Sequence, residues 1–172
     1  VVLSILNHYK EFNVIGIADR DNKNFGEEIL GAQVQYTWDD VQAVYDEGIS
    51  NSVLAVGDNK ERQLLFAKLT EIGYTIKTLI HPSALVDNNV KIGVGTTICM
   101  GAKIGPLVSI GDNCIIYTGT VIDHETIIKS DCFIAPGVSV AGRVYIEQGS
   151  FIGIGCSIKD KVRIGAHSVI GA

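Results

Sequence analysis

The chain has 172 residues, of which 47% are hydrophobic and 19% charged, and its formal net charge is -5. A chain this apolar can bury a core, so disorder is excluded for nearly all of it. Its longest stretch without a charged residue has 11 residues, whereas a membrane-spanning helix needs about 18 to 20 apolar residues. The net negative charge also argues against nucleic acid as a partner.

The two parts of the chain differ in composition. Residues 1–78 contain 7 basic and 12 acidic side chains and 6 glycines, while residues 79–172 contain 7 basic and 7 acidic side chains and 13 glycines. We therefore expect two domains with these bounds. The four cysteines show no zinc or disulfide spacing, and no signal peptide opens the chain, which predicts a reducing cytoplasm.

The first part alternates helix and strand patterns. Helices are predicted at residues 1–9, 39–47 and 59–72, and strands at residues 13–19, 30–36, 52–57 and 74–80. This order favours a parallel sheet with right-handed crossovers. Because the chain begins inside the first helix, we expect a preceding strand and glycine-rich turn to be missing. Because it ends within a repeat, we also expect the last repeat to be truncated.

Ligands bind such sheets at the carboxyl ends of the strands. Asp19 and Arg20 follow one predicted strand, and Gly57 follows another. An acid there can bind a ribose hydroxyl, and a glycine lets a ligand approach the backbone. The alternative is that the acids cap helices or lie in solvated loops.

The second part is a strict six-residue repeat. Every sixth residue from Ile80 to Ile170 is Ile or Val, which makes sixteen positions without exception, and the residue four places later is always small or β-branched. A period of six requires a chain that turns a corner in every hexad, so that three short strands, one from each of three hexads, make one coil. Stacked coils then bury one column of aliphatic side chains. An antiparallel β-sandwich would show variable turn spacing instead.

Glycines that directly follow the aliphatic residue are expected at corners, where they allow either an unusual φ or a close approach of backbones. Cys114 and Cys132 are three hexads apart and are expected to stack as small apolar filler in adjacent coils.

One histidine in the repeat is a candidate for catalysis. His124 lies two places after the inward Ile122, hence at a corner and facing outward, and one coil later the same position is Gly142. The missing side chain leaves room beside the imidazole and an accessible N–H. An imidazole can take a proton from an attacking amine or hydroxyl, Glu125 or Asp123 can orient it, and the glycine N–H can stabilise an oxyanion. The alternative is an exposed corner histidine beside two solubilising acids.

A metal site would need histidines that converge. His81, His124 and His167 are evenly spaced by one residue more than seven hexads, so they fall on three different faces. They cannot bind one metal ion within a chain, unlike the clustered histidines of the γ-class carbonic anhydrases, and we expect no metal.

The hexad Ile-Gly-x-x-small-x, as in residues 110–115, resembles that of the hexapeptide-repeat acyltransferases. Together with LIHPSA at residues 79–84, GDN at residues 57–59 and a histidine flanked by acids, it makes essentially the whole chain similar to the NeuD/PglD-type sugar acetyltransferases. The resemblance implies a small Rossmann-like α/β domain followed by a left-handed parallel β-helix of hexapeptide repeats, assembled as a homotrimer.

The resemblance also implies acetyl-CoA as the co-substrate. The acceptor is then a UDP-4-amino-sugar acetylated on nitrogen for surface-glycan biosynthesis, or a sialic acid acetylated on oxygen. A non-catalytic β-helix that binds a nucleotide sugar or organises an assembly is the alternative from another class. Sugar nucleotidyl transfer is disfavoured because the first part is short and shows no glycine-rich phosphate loop before a lysine.

Site roles follow from the same resemblance. His124 is the general base, Glu125 tunes it and Gly142 contacts the acetyl oxygen. The expected acceptor-binding residues are Asp19, Arg20, Gly57 and Asp123.

Acetyl-CoA is expected in the groove between adjacent β-helices, near Phe133, Ile154 and Ala172. The sequence departs from the family at two positions. Phe133 stands where many relatives have a second histidine, and Tyr117 stands where an asparagine is frequent.

Overall fold

The computed structural model describes residues 1–172. All helices lie before residue 79, and only two-residue strands and turns follow it. We call residues 1–78 the α/β unit and residues 79–172 the β-helix. No helix is both long enough and apolar enough to cross a membrane.

The α/β unit contains helices α1 (Val2–Leu6), α2 (Val41–Asp46) and α3 (Asn59–Ile72), a 3₁₀ turn (Asn22–Asn24), and strands β1 (Ile17–Asp19), β2 (Glu28–Ile29), β3 (Ala32–Thr37), β4 (Asn51–Ser52) and β5 (Thr75–Ile76).

The strands of the α/β unit form two small sheets instead of the single parallel sheet that the sequence favoured. β1 is parallel to β3, β2 is antiparallel to β3, and β4 is parallel to β5. The antiparallel strand arises from a two-residue hairpin, in which Leu30 and Gly31 both have positive φ angles of 50° and 85°. The predicted strand at 30–36 therefore begins with a turn.

Both ends of helix α3 are capped. The carboxylate of Asp58 accepts hydrogen bonds from the N–H groups of Lys60 and Glu61, which caps the first turn. Gly73 ends the helix with a φ of 109°. Leu65 and Leu69 on the inner face pack with Val41, Leu54 and Ile76 into the core of the α/β unit.

The β-helix consists of sixteen two-residue strands on three faces, each face a parallel sheet. Consecutive strands on one face are three hexads apart, which confirms the predicted coil length. Face 1 contains β7 (Leu85–Val86), β10 (Lys103–Ile104), β13 (Val121–Ile122), β16 (Ser139–Val140) and β19 (Ser157–Ile158). Face 2 contains β8 (Lys91–Ile92), β11 (Ser109–Ile110), β14 (Ile127–Ile128), β17 (Tyr145–Ile146) and β20 (Arg163–Ile164). Face 3 contains β6 (Leu79–Ile80), β9 (Thr97–Ile98), β12 (Ile115–Ile116), β15 (Phe133–Ile134), β18 (Phe151–Ile152) and β21 (Val169–Ile170).

The second residue of each strand points inward and forms the predicted aliphatic column. Ile98, Ile116, Ile134 and Ile152 stack on face 3 and are each 0% exposed. Equivalent residues of faces 1 and 2 join them in one cluster of 18 buried residues. The chain turns between the faces at three corners, which we number first (after face 1), second (after face 2) and third (after face 3).

Most corners contain a residue with a left-handed φ, at a position the sequence did not single out. Positive φ occurs three residues after the aliphatic residue, as at Gly95, Asn113 and Glu125, and not at the glycines that directly follow it. Some of those glycines serve the other predicted role, the close approach of two coils. A Cβ on Gly111 would lie 2.5 Å from the backbone nitrogen of Ser130 in the next coil, so close approach requires glycine there.

The small residues of the repeat are more than filler. Thr96, Thr126 and Ser150 each donate a side-chain hydrogen bond to the carbonyl 15 residues later, at the same corner of the next coil. Cys114 and Cys132 donate through Sγ to carbonyls in the same pattern. Burial raises the pKa of the Cys114 thiol well above its usual value, so this thiol keeps its proton and acts as a donor.

The aliphatic column allows a stability prediction. Replacing Ile134 with alanine removes a fully buried side chain from between Ile116 and Ile152, and we expect the free energy of unfolding to fall by about 3 kcal/mol. Chemical denaturation followed by circular dichroism measures this loss. Val169, 76% exposed on the same face, is the matched control, and its alanine variant should change stability by less than about 0.5 kcal/mol. Equal losses in both variants would show that the column does not carry the stability.

Candidate active site

The candidate site lies at the first corner, between strands β13 and β14. Backbone hydrogen bonds hold this corner to the coils on both sides: the N–H of Glu125 donates to the carbonyl of Pro106, and the N–H of Arg143 donates to the carbonyl of His124. The N–H of His124 also donates to the carboxylate of Asp123 at 2.8 Å. The backbone of this corner is therefore held in place. The imidazole projects from it, and 39% of the His124 side chain is exposed.

Glu125 orients the imidazole of His124. Its Oε2 lies 2.9 Å from Nδ1 of the ring. Because a carboxylate only accepts hydrogen bonds, this contact places a proton on Nδ1 and leaves the lone pair of Nε2 available in the neutral ring. Glu125 has a left-handed φ of 58°, as does the equivalent residue at most corners, and its side chain lies beside the preceding residue.

Gly142 lies beside the other nitrogen of the ring. A Cβ at this glycine would be 2.6 Å from Nε2 of His124, so the imidazole occupies the space that a side chain would need. Gly142 itself is buried, whereas the sequence predicted an accessible N–H. This N–H donates no hydrogen bond within the chain. The predicted proximity of the histidine and the glycine is present.

An open cleft of about 430 Å³ begins next to this corner and crosses face 1. Its floor contains the outward residues Leu85, Lys103 and Val121, and Asp123 lies at its end beside His124. Leu85 and Val121 are exposed. The sequence did not single out these floor residues, although their spacing of three hexads places them on one face.

The predicted acceptor residues of the α/β unit converge on the start of helix α3. Arg20 forms an ion pair with Glu61 in the first turn of that helix, and Gly57 lies just before it. Asp19 accepts hydrogen bonds from the N–H of Arg20 and from the side chain of Asn24. Two predicted strand ends are thus brought together, while Asp123 lies at the first corner.

The predicted donor residues lie away from His124 within one chain. Phe133 is on face 3, where its ring stacks on Phe151 at 5.1 Å and contacts Tyr117 at 5.6 Å. Ile154 is exposed at the third corner, and Ala172 follows it one coil later. These three residues share one side of the β-helix, which His124 does not face.

The three spaced histidines also lie apart, as predicted. His81 follows face 3, His124 follows face 1 and His167 follows face 2, so they occupy three different corners. No group of three metal-ligating side chains occurs in the structure.

The coiled hexads and the carboxylate-bound histidine beside a glycine are the features expected from the resemblance to the hexapeptide-repeat acyltransferases. Residues 74–172 match the family model described as the GMPPB C-terminal domain. No curated protein matches the sequence significantly.

Solved structures resemble the whole chain. PerB from Caulobacter crescentus, in complex with CoA and GDP-perosamine, is 33% identical with a TM-score of 0.91. A histidine variant of perosamine N-acetyltransferase from the same organism, with the same two ligands, is 32% identical with a TM-score of 0.94. Both cover 100% of this chain and 80% of their own. The chain belongs to the hexapeptide-repeat sugar acetyltransferase family, which confirms the resemblance seen in its sequence.

The fold extends to more distant proteins. The acetyltransferase domain of PglB from Neisseria gonorrhoeae, in complex with acetyl coenzyme A, is 24% identical with a TM-score of 0.83 and covers 99% of this chain and 80% of its own. WeeI from Acinetobacter baumannii is 20% identical with a TM-score of 0.84.

Proposed function

We propose that the chain transfers the acetyl group of acetyl-CoA to the amine of a nucleotide-linked amino sugar, in surface-glycan biosynthesis. The observation that carries this proposal is the geometry at the first corner, where the Nδ1 of His124 is bound to Glu125 and its Nε2 faces outward beside Gly142. An amine acceptor must lose a proton as it attacks a thioester, and an imidazole in this tautomer is a base for that proton. The N-acetyltransferases that resemble the whole chain support the same reaction.

The reaction follows from these groups. The amine nitrogen attacks the thioester carbon while Nε2 of His124 takes the amine proton, and the carboxylate of Glu125 stabilises the imidazolium that forms. Negative charge develops on the thioester oxygen, where the unpaired N–H of Gly142 is our candidate donor. The carbon–sulfur bond then breaks, and CoA leaves as a thiol with the proton from the imidazolium.

The similar structures narrow the class of acceptor sugar that we propose. Because the relatives at 32% and 33% identity were solved with GDP-perosamine, we place a GDP-linked amino sugar ahead of the UDP-linked sugar expected from the sequence. One of these relatives is an N-acetyltransferase, and both were solved with a bound amino sugar. They therefore favour an amine as the acceptor group over the hydroxyl of sialic acid. Asp19, Arg20 and Gly57 are the proposed contacts of the α/β unit with the nucleotide, and Asp123 is proposed to contact the sugar.

The proposed assembly is a homotrimer of left-handed β-helices, each with a Rossmann-like first domain. Within one chain Phe133, Ile154 and Ala172 lie on a different side from His124, so a site between two chains would bring the donor residues of one chain to the base of another. Stacked aromatic rings such as Phe133 and Phe151 suit the contact surface of such a groove. Four free cysteines fit the proposed location in a reducing cytoplasm.

Thiol release from acetyl-CoA tests the function. The purified protein is assayed with GDP-linked and UDP-linked 4-amino sugars and with sialic acid, and mass spectrometry identifies the product. We expect release that requires a nucleotide-linked amino sugar and a product heavier by one acetyl group. Binding of nucleotide sugar without any turnover would favour the non-catalytic β-helix instead.

The carboxylate partner of His124 gives a further prediction. Replacing Glu125 with glutamine keeps an oxygen for Nδ1 but removes the charge that stabilises the imidazolium, so kcat should fall on the order of tenfold with little change in the KM of acetyl-CoA. Steady-state kinetics measures both constants. Glu147→Gln, which removes a carboxylate paired with Arg163, is the control and should retain wild-type kcat. Wild-type turnover by Glu125→Gln would mean that the carboxylate does not assist the base.

A further inference from the structure

Arg62 is a charged residue in an unusual place. It lies on α3, where this helix contacts the β-helix, and is only 1% exposed. Burial lowers the pKa of its guanidinium, and a buried cation is costly unless its donors are satisfied. No carboxylate binds it directly, and all its partners are carbonyl or amide oxygens.

One side of the guanidinium binds the β-helix at the second corner. Nε donates to the carbonyl of Asn113 at 3.1 Å, and Nη2 donates to the carbonyl of Asp131 at 3.1 Å. These two residues are three hexads apart, so they are the two ends of one complete coil. That coil carries His124 at the first corner.

The other side of the guanidinium binds the loop before α3. Nη1 donates to the carbonyls of Val56 at 3.2 Å and Gly57 at 3.4 Å, and Nη2 donates to Oδ1 of Asn59 at 2.8 Å. Asn59 itself donates to the carbonyls of Gly149 and Ser150. The opposite side of this loop is open, since Gly57 is exposed and no atom lies within 4 Å of the place where its Cβ would be.

We propose that Arg62 is a positioning residue for the acceptor, which ties the Val56–Asn59 loop to the coil that carries the base. The inference rests on the proposed function, in which this loop contacts the nucleotide. Well-packed apolar residues would join two domains at least as stably as a buried cation does, so stability alone does not account for an arginine here. The planar fork of arginine, however, presents donors on three nitrogens and so binds carbonyls on both sides at once, whereas all three donors of lysine lie on one nitrogen.

The variant Arg62→Lys tests this role in the full chain. We expect the KM for the nucleotide-linked acceptor to rise about tenfold or more, while the KM for acetyl-CoA stays within threefold and kcat changes by less than threefold. A role in folding alone would reduce the active fraction, which lowers kcat and leaves both KM values unchanged. Thermal unfolding of each variant reports whether the chain is folded.

A second variant and a matched control complete the test. Asn59→Ala removes a different link between the loop and the β-helix and should raise the acceptor KM several-fold, even if the lysine variant does not fold. Gln63 also joins α3 to the β-helix, through the carboxylate of Asp131 at 2.9 Å, but its side chain makes no hydrogen bond to the loop. Gln63→Ala should keep the wild-type acceptor KM. An unchanged acceptor KM in the folded loop variants, or an equal rise in Gln63→Ala, overturns the inference.

The inference can fail separately from the proposed function. If the wild-type chain releases no CoA with any acceptor, the proposed function fails, and calorimetric binding of GDP and UDP then decides the role of Arg62. Binding to the wild-type chain that weakens tenfold or more in Arg62→Lys supports the inference. Equal binding by both chains, or by neither, overturns it.

Discussion

Replacing His124 with alanine is expected to lower kcat for acetyl transfer by about 10² to 10⁴-fold, the usual contribution of a general base. The KM values for acetyl-CoA and for the acceptor should change little, because the imidazole acts on a proton and most binding contacts lie elsewhere. The ring projects from a corner that backbone hydrogen bonds hold on both sides, so its removal leaves the coil intact. Steady-state thiol release with saturating acceptor measures the loss.

His167→Ala is the matched control for this prediction. His167 is also an exposed corner histidine, and its ring also packs beside a glycine, Gly149, of a neighbouring coil. It lies at the second corner, away from the carboxylate and the cleft, and its variant should keep wild-type kcat. Similar losses in both variants would indicate that corner histidines support the fold, and a fully active His124→Ala would remove the general base from the mechanism.

The β-helix was predictable because its sequence rule is local and strict. A single aliphatic position in every hexad determines which side chains point inward, and stacking at every third hexad follows from three strands per coil. The sequence therefore predicted the core residues, such as Ile116 and Ile134, and their neighbours in the stack. It did not predict where the backbone becomes left-handed, because Asn113, Glu125 and Asp131 adopt positive φ without being glycine.

The α/β unit was less predictable because its contacts are long-range. Strand Ile17–Asp19 and helix Asn59–Ile72 were predicted in type, but the pairing of strands into two sheets depends on a hairpin turn at Leu30 that carries no strong sequence signal. The burial of Arg62 was also not predictable from the sequence. Its partners in the β-helix are backbone carbonyls 51 and 69 residues away, and a pattern of side chains gives no information about those.

The candidate site was predictable to the extent that it lies in the repeat. Because residues three hexads apart are neighbours in adjacent coils, the sequence predicted that Gly142 lies beside His124, and it predicted an acidic neighbour as the orienting group. The residues alone left Glu125 and Asp123 open as the orienting acid, and the family resemblance implied Glu125. In the structure the carboxylate of Glu125 contacts Nδ1. The cleft on face 1 depends on the outward residues, which the repeat leaves free to vary.

The second large effect is expected from Gly142→Ala, a change of a single methyl group. The new Cβ would lie 2.6 Å from Nε2 and 2.8 Å from Cε1 of His124, so one of the two must move. The φ of Gly142 is outside the left-handed region, so alanine fits the backbone, and the side chain of His124 is the flexible partner. We therefore expect a folded protein in which the imidazole is displaced and kcat falls about 10 to 100-fold, as small misplacements of catalytic groups produce.

A double-mutant cycle assigns this loss to the imidazole. If the methyl group acts by displacing the ring, Gly142→Ala should have no further effect on the residual rate of His124→Ala, because no ring remains to be displaced. Gly165→Ala is the control for a glycine in the repeat, since the nearest atom to its Cβ is 3.7 Å away, and it should keep wild-type kcat. An additional loss in the double variant would instead place the effect of Gly142 on its own backbone N–H, and so on the oxygen of the thioester.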